Sequence, residues 1–236
     1  MKKITYSILA VFLFIAAAKS VSAQSEQKRE VSGFNSIASG GPFNVHVKID
    51  GTESLRLTGD AAILDKIETV VEGEKLKIRF KHEYEHNHDG DEAGEVNIYI
   101  TAKSLSGIAN AGSGKMTVDG VVSGNNVKMA LSGSGNITSS VKSDELHIAI
   151  SGSGSVHLNG SAGNASISIA GSGELMGKEL KTNTASVSIA GSGNAYVTAE
   201  SSISAHIAGS GSVIYSGNAS VSDSHTVGSG RVTKAN

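Results

Sequence analysis

Gly112-Ser113-Gly114 is the first of seven copies of one tripeptide. The others begin at Gly133, Gly152, Gly171, Gly191, Gly209 and Gly228, at intervals of 21, 19, 19, 20, 18 and 19 residues. A flexible Gly/Ser linker would keep no such register. The flanks share it. Two residues before each first glycine stand Asn110, Leu131, Ile150, Ile169, Ile189, Ile207 and Thr226. Four before stand Ile108, Met129, Ile148, Ile167, Val187, Ala205 and Ser224. Four after stand Met116, Ile137, Val156, Leu175, Ala195, Val213 and Val232. Small and polar residues alternate with these. A period of two on both sides of a glycine turn means two short strands per repeat, each with one face buried.

One repeat cannot bury that face, but stacked repeats can, because each apolar position then lies above its equivalent. The fold expected is all-β: a right-handed parallel β-helix, or β-solenoid, of about seven GSG-containing coils. Right-handed crossovers dominate parallel connections. At a strand spacing of about 4.8 Å the stack is roughly 30 Å long. Each tripeptide marks a corner needing φ > 0 or close backbone approach. The serines (Ser113, Ser134, Ser153, Ser172, Ser192, Ser210 and Ser229) should stack as a hydrogen-bonded ladder. A calcium-binding nonapeptide roll would need aspartate in each glycine turn. Here the residues after the tripeptide are Lys115, Asn136, Ser155, Glu174, Asn194, Ser212 and Arg231. No apolar residue recurs every six positions, as a hexapeptide helix would require. In the last coil Ser224 and Thr226 replace the apolar pair and Arg231 and Lys234 follow, which suits a polar cap on the stack.

Upstream, residues 24–107 lack the tripeptide but remain β-rich. Phe43, Val45, Val47 and Ile49 alternate, Asp50-Gly51 is a turn signal, and Leu55 and Leu57 resume the alternation, which predicts a hairpin. Asp60 to Ile67 reads as a short helical stretch with Asp60 as its N-cap. Leu76, Ile78 and Phe80 form a further strand, and Val96, Ile98 and Ile100 another. At the start, Lys2 and Lys3, the apolar run Ile8 to Ala18, and Val21-Ser22-Ala23 have the form of a signal peptide cleaved after Ala23. The run is shorter than the ~20 residues a bilayer span needs. The expected division is 1–23 signal peptide, 24–107 N-terminal β-rich region and 108–236 repeat region, the last two forming one continuous unit.

Composition narrows the function. Of 236 residues, 29 are glycine and none is cysteine or tryptophan; 39% are hydrophobic and 4% aromatic. The absence of cysteine excludes disulfides, a thiol nucleophile, Cys-ligated zinc, iron–sulfur sites and a lipid-modified N-terminal cysteine. The net charge of −2 becomes −5 without Lys2, Lys3 and Lys19. All of it falls on residues 24–107, with 15 acids against 10 bases, while 108–236 hold 7 of each. There is no basic excess for nucleic acid.

Phe34-Asn35-Ser36-Ile37, Asp50-Gly51, Lys75-Leu76-Lys77-Ile78, and Val96 to Ile100 followed by Leu105 precede the recurring Ser-Gly-Ser-Gly. In these features the chain, over about residues 30–232, resembles a bacterial family called the putative auto-transporter adhesin, head GIN domain. That resemblance implies an all-β, helix-like, exported protein with surface binding. No barrel segment follows the last coil, so the periplasm, the outer-membrane surface and secretion all stay open as locations.

One dense polar cluster spans His82 to Glu92. His82, His86, His88, Asp89 and Asp91 are metal-ligand types, and two or three converging would hold zinc, copper or nickel. The plainer reading is a solvated hairpin loop. An EF-hand is excluded, since Ala93 occupies a ligand position and Ile100 the closing one. No cofactor motif is present and no cofactor is expected. The coils carry only seven acids, Asp119, Asp144, Glu145, Glu174, Glu179, Glu200 and Asp223, and no Ser/His/Asp constellation. His147, His157, His206 and His225 have outward parity.

Binding remains. Before the turn the outward positions are small, among them Ala109, Ala130, Ala149, Ser168 and Ser188. After the turn they include His157, Met176, Tyr196 and Ile214 on successive coils. Met176, Tyr196 and Ile214 are the candidate binding residues. The expected protein is an exported, noncatalytic adhesin-like binder of a surface polysaccharide (a glycan) or an envelope protein, without a membrane span after signal cleavage. Self-association into a homo-oligomer would also cover the stripe. The alternatives are a structural envelope protein without a ligand and a carbohydrate-active enzyme on a β-helix.

Overall fold

In the computed structural model, which describes residues 25–82 and 94–235, the repeats become coils of a β-solenoid of about seven turns. The leader residues 1–23 lie outside the described residues. Five long strands form the body: β9 (Lys115–Gly133), β10 (Asn136–Gly152), β11 (Ser155–Gly171), β12 (Glu174–Gly191) and β13 (Asn194–Gly209). Each pairs in parallel with the next. The pairing register is the sequence repeat itself. Gly112, Gly133, Gly152, Gly171, Gly191, Gly209 and Gly228 stand in one column.

The corner explains the tripeptide. Gly152 has φ +111°, and a Cβ there would lie 2.5 Å from the carbonyl oxygen of Gly133. At Gly154 a Cβ would lie 2.3 Å from the Gly135 oxygen. The first glycine therefore meets a backbone conformation and the second a crowding limit. The serine ladder is a main-chain one: the amides of Ser134, Ser153, Ser172, Ser192 and Ser210 donate to the first glycine of the coil before, at 2.9 to 3.1 Å.

The interior is a set of apolar columns. Leu131, Ile150, Ile169, Ile189 and Ile207 stack in register, all 2% exposed or less. Met129, Ile148, Ile167, Val187 and Ala205 form a second column. Burying each large aliphatic chain contributes about 1.5–3 kcal/mol, the force that closes the coils. Asn110 heads the first column. Its amide donates to the Gly114 carbonyl at 2.8 Å, while its Oδ1 is buried without a partner.

The N-terminal third extends the same stack out of sequence order. β2 (Ser36–Gly40) and β3 (Asn44–Ile49) pair in parallel with β8 (Gly107–Gly112) and β9. β6 (Lys75–Phe80) and β7 (Asn97–Ala102) pair in parallel with β2 and β3 on the other side. The chain thus leaves β7 and passes over the β2–β3 rung to reach β8. Antiparallel strands close this end: β4 (Ser54–Gly59) on β7, β1 (Ser25–Arg29) on β4, and β5 (Ile67–Glu72) on β6. The short α1 (Ala61–Leu64) begins as expected, with the Asp60 carboxylate accepting from the Ala62 amide at 2.8 Å.

Two sequence expectations change. The β3–β4 hairpin does not form, because β7 lies between those strands. Asp50-Gly51 does reverse the chain, but residues 50–53 then cross β7, two strand spacings or about 10 Å, which four residues can reach. β6 and β7 do not pair with each other either: β6 pairs with β2 and β5, and β7 with β3 and β4.

At the other end, β14 (Ser212–Ser216), β15 (Ser220–Gly228) and β16 (Arg231–Lys234) close the stack. All nine residues of β15 are exposed, Ser224 and Thr226 among them, which is the polar last coil expected.

Candidate functional site

The parity that buries Leu175, Ala195 and Val213 turns their neighbours outward. His157, Met176, Tyr196 and Ile214 are direct partners on β11, β12, β13 and β14 and form one outward column. Met176 is 37% exposed; Tyr196 and Ile214 are half-buried. The three candidate residues are therefore contiguous, at the strand spacing of about 4.8 Å.

A cleft of about 450 Å³ opens on this column, with His157, Met176 and Tyr196 among its lining residues. Asn159, Glu174, Lys178 and Glu179 also line it, and Ile214 does not. Its wall comes from an irregularity in β12. Pairing with β13 shifts register between Gly177 and Lys181, and pairing with β11 shifts between His157 and Asn159. The extra residues carry Lys178 and Glu179 outward as exposed side chains. The Thr198 hydroxyl donates to the Lys178 carbonyl at 2.8 Å and pins this excursion. The Lys178 ammonium stands 5.0 Å from the Tyr196 ring centroid, a cation–π contact. Parity alone did not identify Lys178 and Glu179. The available signal was the 20-residue interval after Gly171, longer than those on either side.

An aromatic ring beside aliphatic groups, bordered by charged and amide side chains, can hold the apolar face of a sugar while bonding its hydroxyls. It serves equally as the anchor of a protein contact.

Of the proposed metal ligands, His86, His88, Asp89 and Asp91 lie outside the described residues. His82 stands just after β6. Among the described residues no three His, Asp or Glu side chains are grouped to hold a metal ion. His206 and Asp223 form an exposed contact of 3.3 Å on the last coils, away from the cleft.

The profile of the family described as putative auto-transporter adhesin, head GIN domain, matches residues 33–219. A putative adhesin from Bacteroides fragilis NCTC 9343 superposes with a TM-score of 0.78 at 23% identity, over 90% of this chain and 97% of its own. A putative lipid binding protein from Parabacteroides distasonis ATCC 8503 superposes at 0.72 with 24% identity, over 90% and 97%. A putative adhesin from Parabacteroides merdae ATCC 43184 superposes at 0.69 with 20% identity, over 90% and 96%. At these identities the likeness is one of fold. No curated protein matches the chain.

Proposed function

Because this chain belongs to the auto-transporter adhesin head GIN domain family, we propose that it is an exported, noncatalytic adhesin-like protein. It attaches to a surface glycan or envelope protein through Met176, Tyr196 and Ile214 and the cleft beside them. The observation that supports this most is the register. Four bulky outward residues occupy adjacent strands, beside the cleft that Lys178 and Glu179 wall off. Among the described residues no helix is long and apolar enough to cross a membrane. Attachment would then rest on the solenoid face.

The test is the double variant Tyr196→Ala with Ile214→Ser, titrated against immobilised envelope polysaccharide and envelope protein fractions. The melt should hold and binding should weaken about tenfold or more, as for loss of an aromatic anchor. A ligand bound as tightly by the double variant removes the stripe from the site.

A second reading has its own observation: Glu174 and Glu179 line one cleft, and paired carboxylates cleave glycosidic bonds. A general acid needs a carboxyl kept protonated by burial, and Glu179 is exposed. Released product from purified protein and polysaccharide, lost in Glu174→Gln, would establish this reading instead.

A further inference from the structure

The outward column does not stop at His157. Through β10 and β9 it continues as Thr138 and Thr117, and through β3, β7, β4 and β1 as His46, Tyr99, Arg56 and Lys28. One straight row therefore crosses the face from the antiparallel cap to the last coil.

Three independent observations mark this row. The described residues include three tyrosines. Tyr215 is buried, and the other two, Tyr99 and Tyr196, both stand in the row. Tyr99 is half-buried in a planar stack: the His46 ring lies 5.1 Å away at 17°, and the Arg56 guanidinium lies 4.2 Å from the ring centroid on an adjoining strand. Arg56 is held in turn by Glu26 at 3.1 Å. A second cleft, of about 730 Å³, opens at this stack, with Lys28, His46, Lys48, Arg56 and Tyr99 among its lining residues. Glu30, Glu53 and Asp119 line it too, so it is not a simple anion site. Finally, a polar rail runs two residues to one side of the row: Asn44, Lys115, Asn136, Ser155, Glu174 and Asn194 in register.

We infer that the two clefts are subsites of one track for an extended, linear polysaccharide lying along the solenoid axis. This rests on the proposed function and adds to it a second subsite and a ligand class. The spacing selects the ligand. Groups along the track repeat every strand spacing, about 4.8 Å, whereas an extended peptide advances about 3.3 Å per residue. A pyranose unit of an extended β-linked glycan is about one strand spacing long, so successive sugars meet successive rungs. Tyr196 and Tyr99 are six rungs apart, about 29 Å. The rail supplies amide and charged groups for ring hydroxyls, and the stack supplies the polar groups of Tyr99, His46 and Arg56. Thr138 belongs to the edge of the first cleft and His46 to the second, and Thr117, the one rung between them, keeps that stretch low, so a chain can pass.

The test uses the protein without its leader and graded linear β-1,4-linked oligomers of glucose, N-acetylglucosamine and mannuronate, from two to eight units, by calorimetry. Affinity should rise steeply, roughly tenfold or more, once the chain spans both clefts, because the second contact becomes intramolecular. Thr117→Glu places a charge on the exposed rung between the clefts, at a residue that lines neither. It should remove the gain for long oligomers and leave short ones unchanged, and Tyr99→Ala, by taking away the second subsite, should also remove the gain for long oligomers. Tyr196→Ala should weaken both lengths. An affinity independent of length overturns the track, as does long-chain binding that survives Thr117→Glu and Tyr99→Ala. If Tyr196→Ala still weakens binding in that case, the proposed function stands without the track. Binding of no oligomer, or capture of a protein alone, overturns the polysaccharide assignment.

Discussion

Gly152 answers to two constraints at once, a φ of +111° and a Cβ position 2.5 Å from a carbonyl oxygen. Gly152→Val should therefore destabilise by about 3 kcal/mol or more, the strain of a disallowed φ adding to a backbone clash. Ser155→Val, three residues on and half-exposed, gives up a contact with the Asn136 amide and should cost under ~1 kcal/mol. Paired thermal melts check the contrast, and equal losses would place the corner elsewhere. Asn110 is the opposite case, a polar side chain in a column otherwise filled by Leu131 and the isoleucines. Its Oδ1 is orphaned, and the Gly114 carbonyl it serves also accepts from the Asn136 amide. Asn110→Leu should hold stability level or raise it by about 1 kcal/mol, since a buried unsatisfied group disappears. A fall in melting temperature of several degrees would mean that Asn110 fixes the first corner. The periodicity did assign Asn110 to this column, but whether its amide finds partners depends on the coil above.

At the scale of the element, the register shifts of β12 matter most. A regular strand would have left Met176 and Tyr196 on a flat face; the shift lifts Lys178 and Glu179 into a wall. The two-residue period locates the stripe and is blind to the wall, because a bulge is a failure of that period. The antiparallel cap strands carry a second element-scale property. Asp50 is held below the usual carboxylate range by hydrogen bonds from the Thr52 hydroxyl and amide. Glu53 is held low first by its bond to the Lys103 ammonium at 2.7 Å, and also by the amides of Phe34 and Gly33. Glu72 is held low by Lys77. Lowered folded pKa values mean that the unfolded chain binds more protons in acid. Their stabilisation is complete above the unfolded value, near pH 4, and is lost as pH falls through the lower folded values. Acidification from pH 6 toward 3 should thus loosen residues 50–80 before the glycine coils. Residue-resolved NMR melts at the two pH values test this; coils that melt first in acid would contradict it.

For the whole molecule, the decisive feature is that apolar columns run continuously and need a lid at each end. At the C-terminal end the lid is β15, exposed throughout, with Ser224 and Thr226 in register with Ala205 and Ile207 and with Val221 beside Ile203. Removing residues 218–236 should uncover Ile203, Ala205 and Ile207 of β13 and drive association, because a solenoid without its polar terminal coil presents an open core. Light scattering on the truncated chain checks this; a truncated monomer as soluble and stable as the full chain would show that β15 is no lid. At the other end the stack is closed by the antiparallel strands β1, β4 and β5, of which β4 and β5 lie between the β2–β3 rung and the repeats in sequence, though not in space.

The parallel solenoid, its glycine corners, its apolar columns and the outward stripe Met176–Tyr196–Ile214 were all legible in residue order. Repetition makes each coil the template for the next, so local period and global register are one signal. Partner choice in the N-terminal third was not legible. β3 and β4 each show a clean alternation, but alternation specifies a face and leaves the edge open, and β7, some forty residues on, took the place between them. The row from Lys28 to Ile214 depends on that choice. Its four N-terminal members come from strands whose order along the stack differs from their order along the chain, and burial of Leu55, Leu57, Ile98 and Ile100 against one another brings them into line.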